Sequence, residues 1–161
     1  QLARSRIKSL LADCDQPACL LAAEAADAME AISKLRDEAV DVVLLDIRMP
    51  GADGLQLARE LRHMRPELAI IFVTAHAEHA VDAFDLDVTD YLTKPVRAER
   101  LQKALQKALL KKELFANADR DSSANGIENL LILNARIPKF IALTISSLLV
   151  ERQSLISDEA S

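Results

Sequence analysis

Tryptophan is absent from this sequence, glycine occurs three times, and aromatic residues make up only 3% of the chain. Each scarcity removes a class of function. Three glycines cannot supply the Gly-rich loops that wrap nucleotide phosphates, and neither GxxxxGK nor GxGxxG occurs. So few aromatics leave little surface for stacking on nucleic-acid bases. Cys14 and Cys19 lack metal-site spacing and read as plain small residues of the core or its margin. No apolar run approaches the roughly 18 residues of a membrane span. No signal-peptide pattern opens the chain, so the expected setting is cytoplasmic, with no membrane partner. The formal net charge of −5 argues against a nucleic-acid surface.

What is present is a substantial core for one domain plus an extension: half of the 161 residues are hydrophobic. The apolar spacing alternates between two periods. Residues 2–13 predict a helix, with Ala3, Ile7, Leu10, Leu11 and Cys14 at helical spacing. A strand is expected at 18–23 and a helix at 26–38. The run Val42-Val43-Leu44-Leu45 reads as a strand covered on both faces. After it come a Pro50-Gly51 turn and a helix at 55–64, which Asp53 is placed to cap. Further strands are expected at 69–73 and 88–93, with a short helix at 78–84 and a longer one at 96–111. Strands alternating with helices predict a parallel sheet and an α/β fold.

Three of these strands end in chemistry. The first ends at Asp46, the second at Thr74-Ala75, and the third at Lys94-Pro95. A parallel sheet places all three on one edge, the edge where open α/β sheets bind ligands. An acid, a hydroxyl and an ammonium together suit phosphoryl transfer: Asp46 to accept, Thr74 to donate a hydrogen bond, Lys94 to neutralise charge.

With Met49-Pro50-Gly51, Asp53-Gly54 and Tyr91 added, the sequence resembles the receiver domain of two-component response regulators across roughly residues 1–111. The resemblance implies a flavodoxin-like, doubly wound parallel sheet in a signalling protein rather than an enzyme. It implies that Asp46 is the phosphoacceptor for a histidine kinase. Thr74, Ala75 and Lys94 would contact the phosphoryl group, Thr74 and Tyr91 would form a switch pair, and the bond before Pro95 would be cis. It implies homodimerisation through the face at 78–111. It also implies Mg²⁺, held by Asp46, the backbone carbonyl of Arg48 and an acid pair on an opening strand.

That opening strand and its acid pair have no counterpart before Gln1. The first strand is therefore expected to be missing, in a piece of a longer parent or in a degenerate receiver that binds Mg²⁺ weakly or not at all. Residues 112–126 read as a polar linker. Residues 127–161 then read as a short β-rich extension, a partial output domain or tail, with strands at 130–133, 140–143 and 148–150. This tail weakly resembles the start of a LytTR-type DNA-binding domain, which suggests transcription as the output. Residues 113–161 nevertheless carry four Arg or Lys against seven acids, a poor balance for phosphate contacts. DNA is thus expected as a partner only through an output domain mostly absent here. A different route has Leu130–Leu133 fill the vacant central position, as in a circular permutation, with Asn134-Ala135 where the acids belong.

Two other functions compete. An aspartyl-phosphate hydrolase of the haloacid-dehalogenase type also uses a strand-end Asp with Thr and Lys. It needs a second Asp two residues later, where this chain has Arg48, which cannot serve as a general acid. A phosphorylation-independent binding module is supported by the missing acid pair. The nearby His76 and His79 read as surface histidines, and Asp82, Asp85, Asp87 and Asp90 as a solvated acidic face.

Overall fold

Segments of four to seven residues, apolar in the centre of the sheet, pair as its strands, and 3.6-residue patterns wind as helices over both faces. A computed structural model describes residues 2–37, 39–49, 52–121 and 140–145. In chain order the elements are α1 (Leu2–Ala12), β1 (Cys19–Ala25), α2 (Ala28–Asp37), β2 (Val42–Leu45), β3 (Arg48–Met49) and β4 (Ala52–Asp53). They continue with α3 (Gly54–Met64), β5 (Ala69–Thr74), a 3-10 turn (Ala77–His79), α4 (Ala80–Asp85), β6 (Asp90–Thr93), α5 (Ala98–Asp121) and β7 (Phe140–Ile145). Strands β3 and β4 form a small antiparallel hairpin. The main sheet has five strands, all paired in parallel, in the order β1-β7-β2-β5-β6. This is the doubly wound, flavodoxin-like architecture that the sequence predicts.

Strand alternation divides the core in two. Val43 and Leu45 of β2 and Ile70 and Phe72 of β5 pack with Leu35 of α2 and Leu57, Ala58 and Leu61 of α3. Val42, Leu44, Ile71 and Val73 point the other way, towards Ile7 and Leu11 of α1 and Leu101, Ala104, Leu105 and Ala108 of α5. Both faces of β2 and β5 are thus covered, which explains why their sequences are continuously apolar. Each fully buried Leu, Ile or Phe contributes about 1.5–3 kcal/mol.

Two expectations need correction. The central position is not vacant: β7 lies between β1 and β2. Its register runs from Cys19↔Phe140 to Ala25↔Ile145 on one side and from Val42↔Ala142 to Leu45↔Ile145 on the other. The segment in place is Phe140–Ile145, read above as a strand of the extension, and it pairs with the receiver sheet rather than with an output domain. Leu130–Leu133, 148–150, the Pro50-Gly51 turn and residues 122–126 of the linker lie outside the described residues. The second correction concerns 112–121, expected as linker. Helix α5 continues through them to Asp121. No Gly or Pro interrupts 98–121, and Lys112 Nζ meets the Asp41 carboxylate at 2.7 Å, tying the extended helix to the start of β2.

Candidate functional site

Asp46 follows the last residue of β2 at the carboxyl edge of the sheet and is 6% exposed. A carboxylate this deep needs compensation. Lys94 Nζ supplies it, 2.8 Å from Asp46 Oδ2, and the Arg48 backbone N–H donates to Asp46 Oδ1 at 3.3 Å. Lys94 follows β6, and its own backbone N–H is bonded to the Thr74 carbonyl at 2.9 Å. The Lys94-Pro95 bond is cis.

Thr74 closes β5 and is fully buried. Its Oγ1 accepts the His76 N–H at 3.2 Å, which leaves the hydroxyl proton to donate. The Tyr91 hydroxyl donates to the His76 carbonyl. The Tyr91 ring meets Phe72 edge-on, with centroids 6.3 Å apart. Burial, then the carboxylates of Glu78 and Asp46, pushes the Tyr91 phenol above its ordinary pKa. Thr74 and Tyr91 are therefore joined through the backbone of one residue, His76. Sequence reasoning treated His76 as a surface histidine. Its ring does pair with Glu78 at 3.0 Å, but its peptide groups form the junction, and no side-chain pattern signals that. Ala75 is exposed just beyond the strand end.

The loop after Asp46 is held by helix α3. Asp53 caps that helix as expected, its side chain accepting the Leu55 N–H at 2.9 Å. Gly54 belongs to the motif that carries the resemblance, and the structure gives its role: it brings the helix against the loop. A Cβ there would lie 2.2 Å from the Asp46 carbonyl oxygen and 2.7 Å from Ile47 Cα. The Gly54 N–H donates to the Ile47 carbonyl at 2.8 Å. The acidic-face reading fails at Asp90. Its side chain is 10% exposed and paired with Arg100 at 3.3 Å and Lys107 at 3.1 Å, which fastens α5 to β6.

The Mg²⁺ expectation rests on the donor set. Asp46 offers one carboxylate, already engaged by Lys94. Arg48 lies in the β3–β4 hairpin opposite Asp53, with its side chain exposed. Among the described residues no group of three His, Cys, Asp or Glu could hold a metal. The sequence after β7 reads Ser146-Ser147, not a pair of acids. One carboxylate and one carbonyl fall short of the oxygen-rich octahedron that Mg²⁺ demands, so these residues do not fit the ion. Cys14 and Cys19 are free thiols. Burial raises both pKa values, that of Cys19 to about 12, so neither is an activated nucleophile. No helix among the described residues is long and apolar enough to cross a membrane.

A family model described as the response regulator receiver domain matches residues 1–106. The positive alginate biosynthesis regulatory protein of Pseudomonas aeruginosa is 45% identical over 107 residues, covering 66% of this chain and 43% of that protein. The transcriptional regulatory protein LytR of Staphylococcus aureus is 36% identical over 106 residues, 66% of this chain and 41% of that protein. The chain therefore spans less than half the length of these relatives. Among solved structures, the response regulatory domain of mrkE from Klebsiella pneumoniae superposes with a TM-score of 0.62 at 32% identity, covering 70% of this chain and 91% of that one. The receiver domain of NtrX from Brucella abortus gives 0.57 at 31%, covering 67% and 93%.

Proposed function

The chain belongs to the response regulator receiver family, and from that premise we propose that it accepts a phosphoryl group on Asp46 from a histidine kinase and so controls an output, transcription. The observation that carries this reading is the buried Asp46 carboxylate at the strand edge with Lys94 Nζ at 2.8 Å. An Asp46 oxygen would attack the phosphorus while the bond to the donor's nitrogen breaks. Lys94 would turn from the carboxylate to the new phosphoryl oxygens, and the Thr74 hydroxyl would donate to one of them. Thr74 and Tyr91 share His76, so movement of Thr74 would pass to Tyr91 and the α4–β6–α5 face. That face exposes Val81 and Phe84, 73% and 85% accessible, which supports a second copy as its partner. A hydrolase finds no support, because Arg48 occupies the position of the required acid.

The second reading, a phosphorylation-independent binding module, is favoured by the donor set around Asp46, which falls short of a metal site. One experiment separates the two. The complete parent chain is incubated with acetyl phosphate and Mg²⁺, and the label is mapped by mass spectrometry. Label on Asp46, lost in Asp46→Ala, is the expected outcome. Failure to label, in a chain that unfolds cooperatively, would establish the second reading. Label surviving in Asp46→Ala at the original level would overturn the site assignment.

A further inference from the structure

The main sheet is completed by a strand that is remote in sequence from both of its neighbours. Strands β1 and β2 flank one slot, and each offers it a full row of backbone donors and acceptors. Left empty, the slot would separate them by about two strand spacings, roughly 10 Å, with no ladder between them. Phe140–Ile145 fits it well. It has six residues against seven in β1 and four in β2. It is continuously apolar apart from Thr144 and rich in β-branched residues, as a strand covered on both faces requires. In sequence Pro138 precedes the ladder, which begins at Phe140. The ladder to β1 absorbs one irregularity, a shift between Leu21 and Ala23. Leu130–Leu133, the rival segment, is only four residues long before Asn134.

The connection is the second observation. Helix α5 ends at Asp121, and β7 begins at Phe140. Residues 122–139 can reach about 60 Å when extended. Crossing the sheet from the β5–β6 side needs roughly 15 Å, three strand spacings. Nothing in the length of this connection forces the strand into place. Position and register are set by the two ladders.

We infer that the slot between β1 and β2 is a strand-acceptor site and that Phe140–Ile145 is this chain's own donor strand, held by pairing rather than by its covalent connection. The ligand class is a short, apolar, β-branched peptide entering parallel to β1 and β2. The site lies beside the chemistry, because Ile145 pairs with Leu45, the residue before Asp46. A donor strand that leaves would remove the support of the phosphoacceptor from one side.

Two measurements on the full chain test this, and neither involves phosphate, so the result is independent of the proposed function. First, a specific-protease site is placed after Gly126 and cut. The two fragments are expected to co-elute under native conditions and to part only in denaturant. Separation under native conditions would overturn the proposal. Second, Leu143→Pro is compared with Leu131→Pro by thermal unfolding. A proline inside a doubly paired strand removes a ladder bond. Leu143→Pro is expected to lower Tm by about 10 °C or more, or to abolish the cooperative transition. Leu131→Pro is expected to leave Tm within about 2 °C. An unchanged Tm for Leu143→Pro, or a larger loss for Leu131→Pro, would refute the assignment of the strand.

Discussion

Replacing Gly54 with alanine sets two opposed effects against each other, and the structure decides between them. Gly54 is the first residue of α3, and alanine is the better helix former by about 1 kcal/mol in a helix interior, less at a helix end. Propensity alone therefore predicts a slight gain in stability. The new methyl, however, would sit 2.2 Å from the Asp46 carbonyl oxygen, 2.7 Å from Ile47 Cα and 2.8 Å from the Ile47 carbonyl oxygen. All three are backbone atoms, so no side-chain rotation relieves the overlap. Restoring ordinary contact requires the start of α3 to withdraw by about 1 Å, well beyond what a close-packed interior absorbs freely. Withdrawal weakens the 2.8 Å Gly54–Ile47 hydrogen bond, a loss of about 1 kcal/mol. It also strains the Asp53 cap and the packing of Leu57, Ala58 and Leu61, for about another 1–3 kcal/mol. The net expectation is a destabilisation of about 2–3 kcal/mol, or a fall in Tm of roughly 4–10 °C. Circular dichroism melts of the two chains measure it, and denaturant titration checks that the m value is unchanged. Because the Asp46 carbonyl is the atom displaced, labelling of Asp46 should fall in the same variant at temperatures where it remains folded. A Tm equal to or above that of the parent would show that the close approach of helix and loop is wrong.

Lys94→Met leaves the Asp46 carboxylate buried without its cation. Full burial would cost about 3–5 kcal/mol, but the Lys94 side chain is 24% exposed, so about 1–3 kcal/mol is expected. A double-mutant cycle with Asp46→Asn measures the coupling, and a value within about 0.3 kcal/mol of zero would deny the pair. Tyr91 binds its proton more tightly folded than unfolded. Its contribution to stability is therefore complete below the unfolded pKa near 10 and declines as pH rises through the folded value. Tyr91→Phe should flatten the loss of Tm above about pH 10, and identical pH profiles for the two chains would count against the shift. Tyr91 is the sole tyrosine and tryptophan is absent, so tyrosinate absorbance reports this group directly. Mg²⁺ titration by calorimetry is expected to show only weak binding. A dissociation constant below about 1 mM would reveal ligands beyond Asp46 and Arg48.

Much of this protein is written locally. Val42–Leu45 and Ala69–Val73 are continuous apolar runs that read as strands covered on both faces, and Asp46, Thr74 and Lys94 follow from where strands end. The Asp53 cap is a matter of one residue beside a helix start. Tertiary structure decided the rest. His76 links Thr74 to Tyr91 through its peptide groups, which every residue carries, so its identity announces nothing. Gly54 is marked by a methyl it lacks, and only the approaching loop makes that lack matter. Asp90 belongs to an acidic series until Arg100 and Lys107 are brought to it by the packing of α5. The occupant of the central slot shows the limit most clearly. Leu130–Leu133 and Phe140–Ile145 are both apolar, and local preference scarcely separates them. Strand pairing is non-local, and its register depends on two partner edges that exist only once the rest of the sheet has formed.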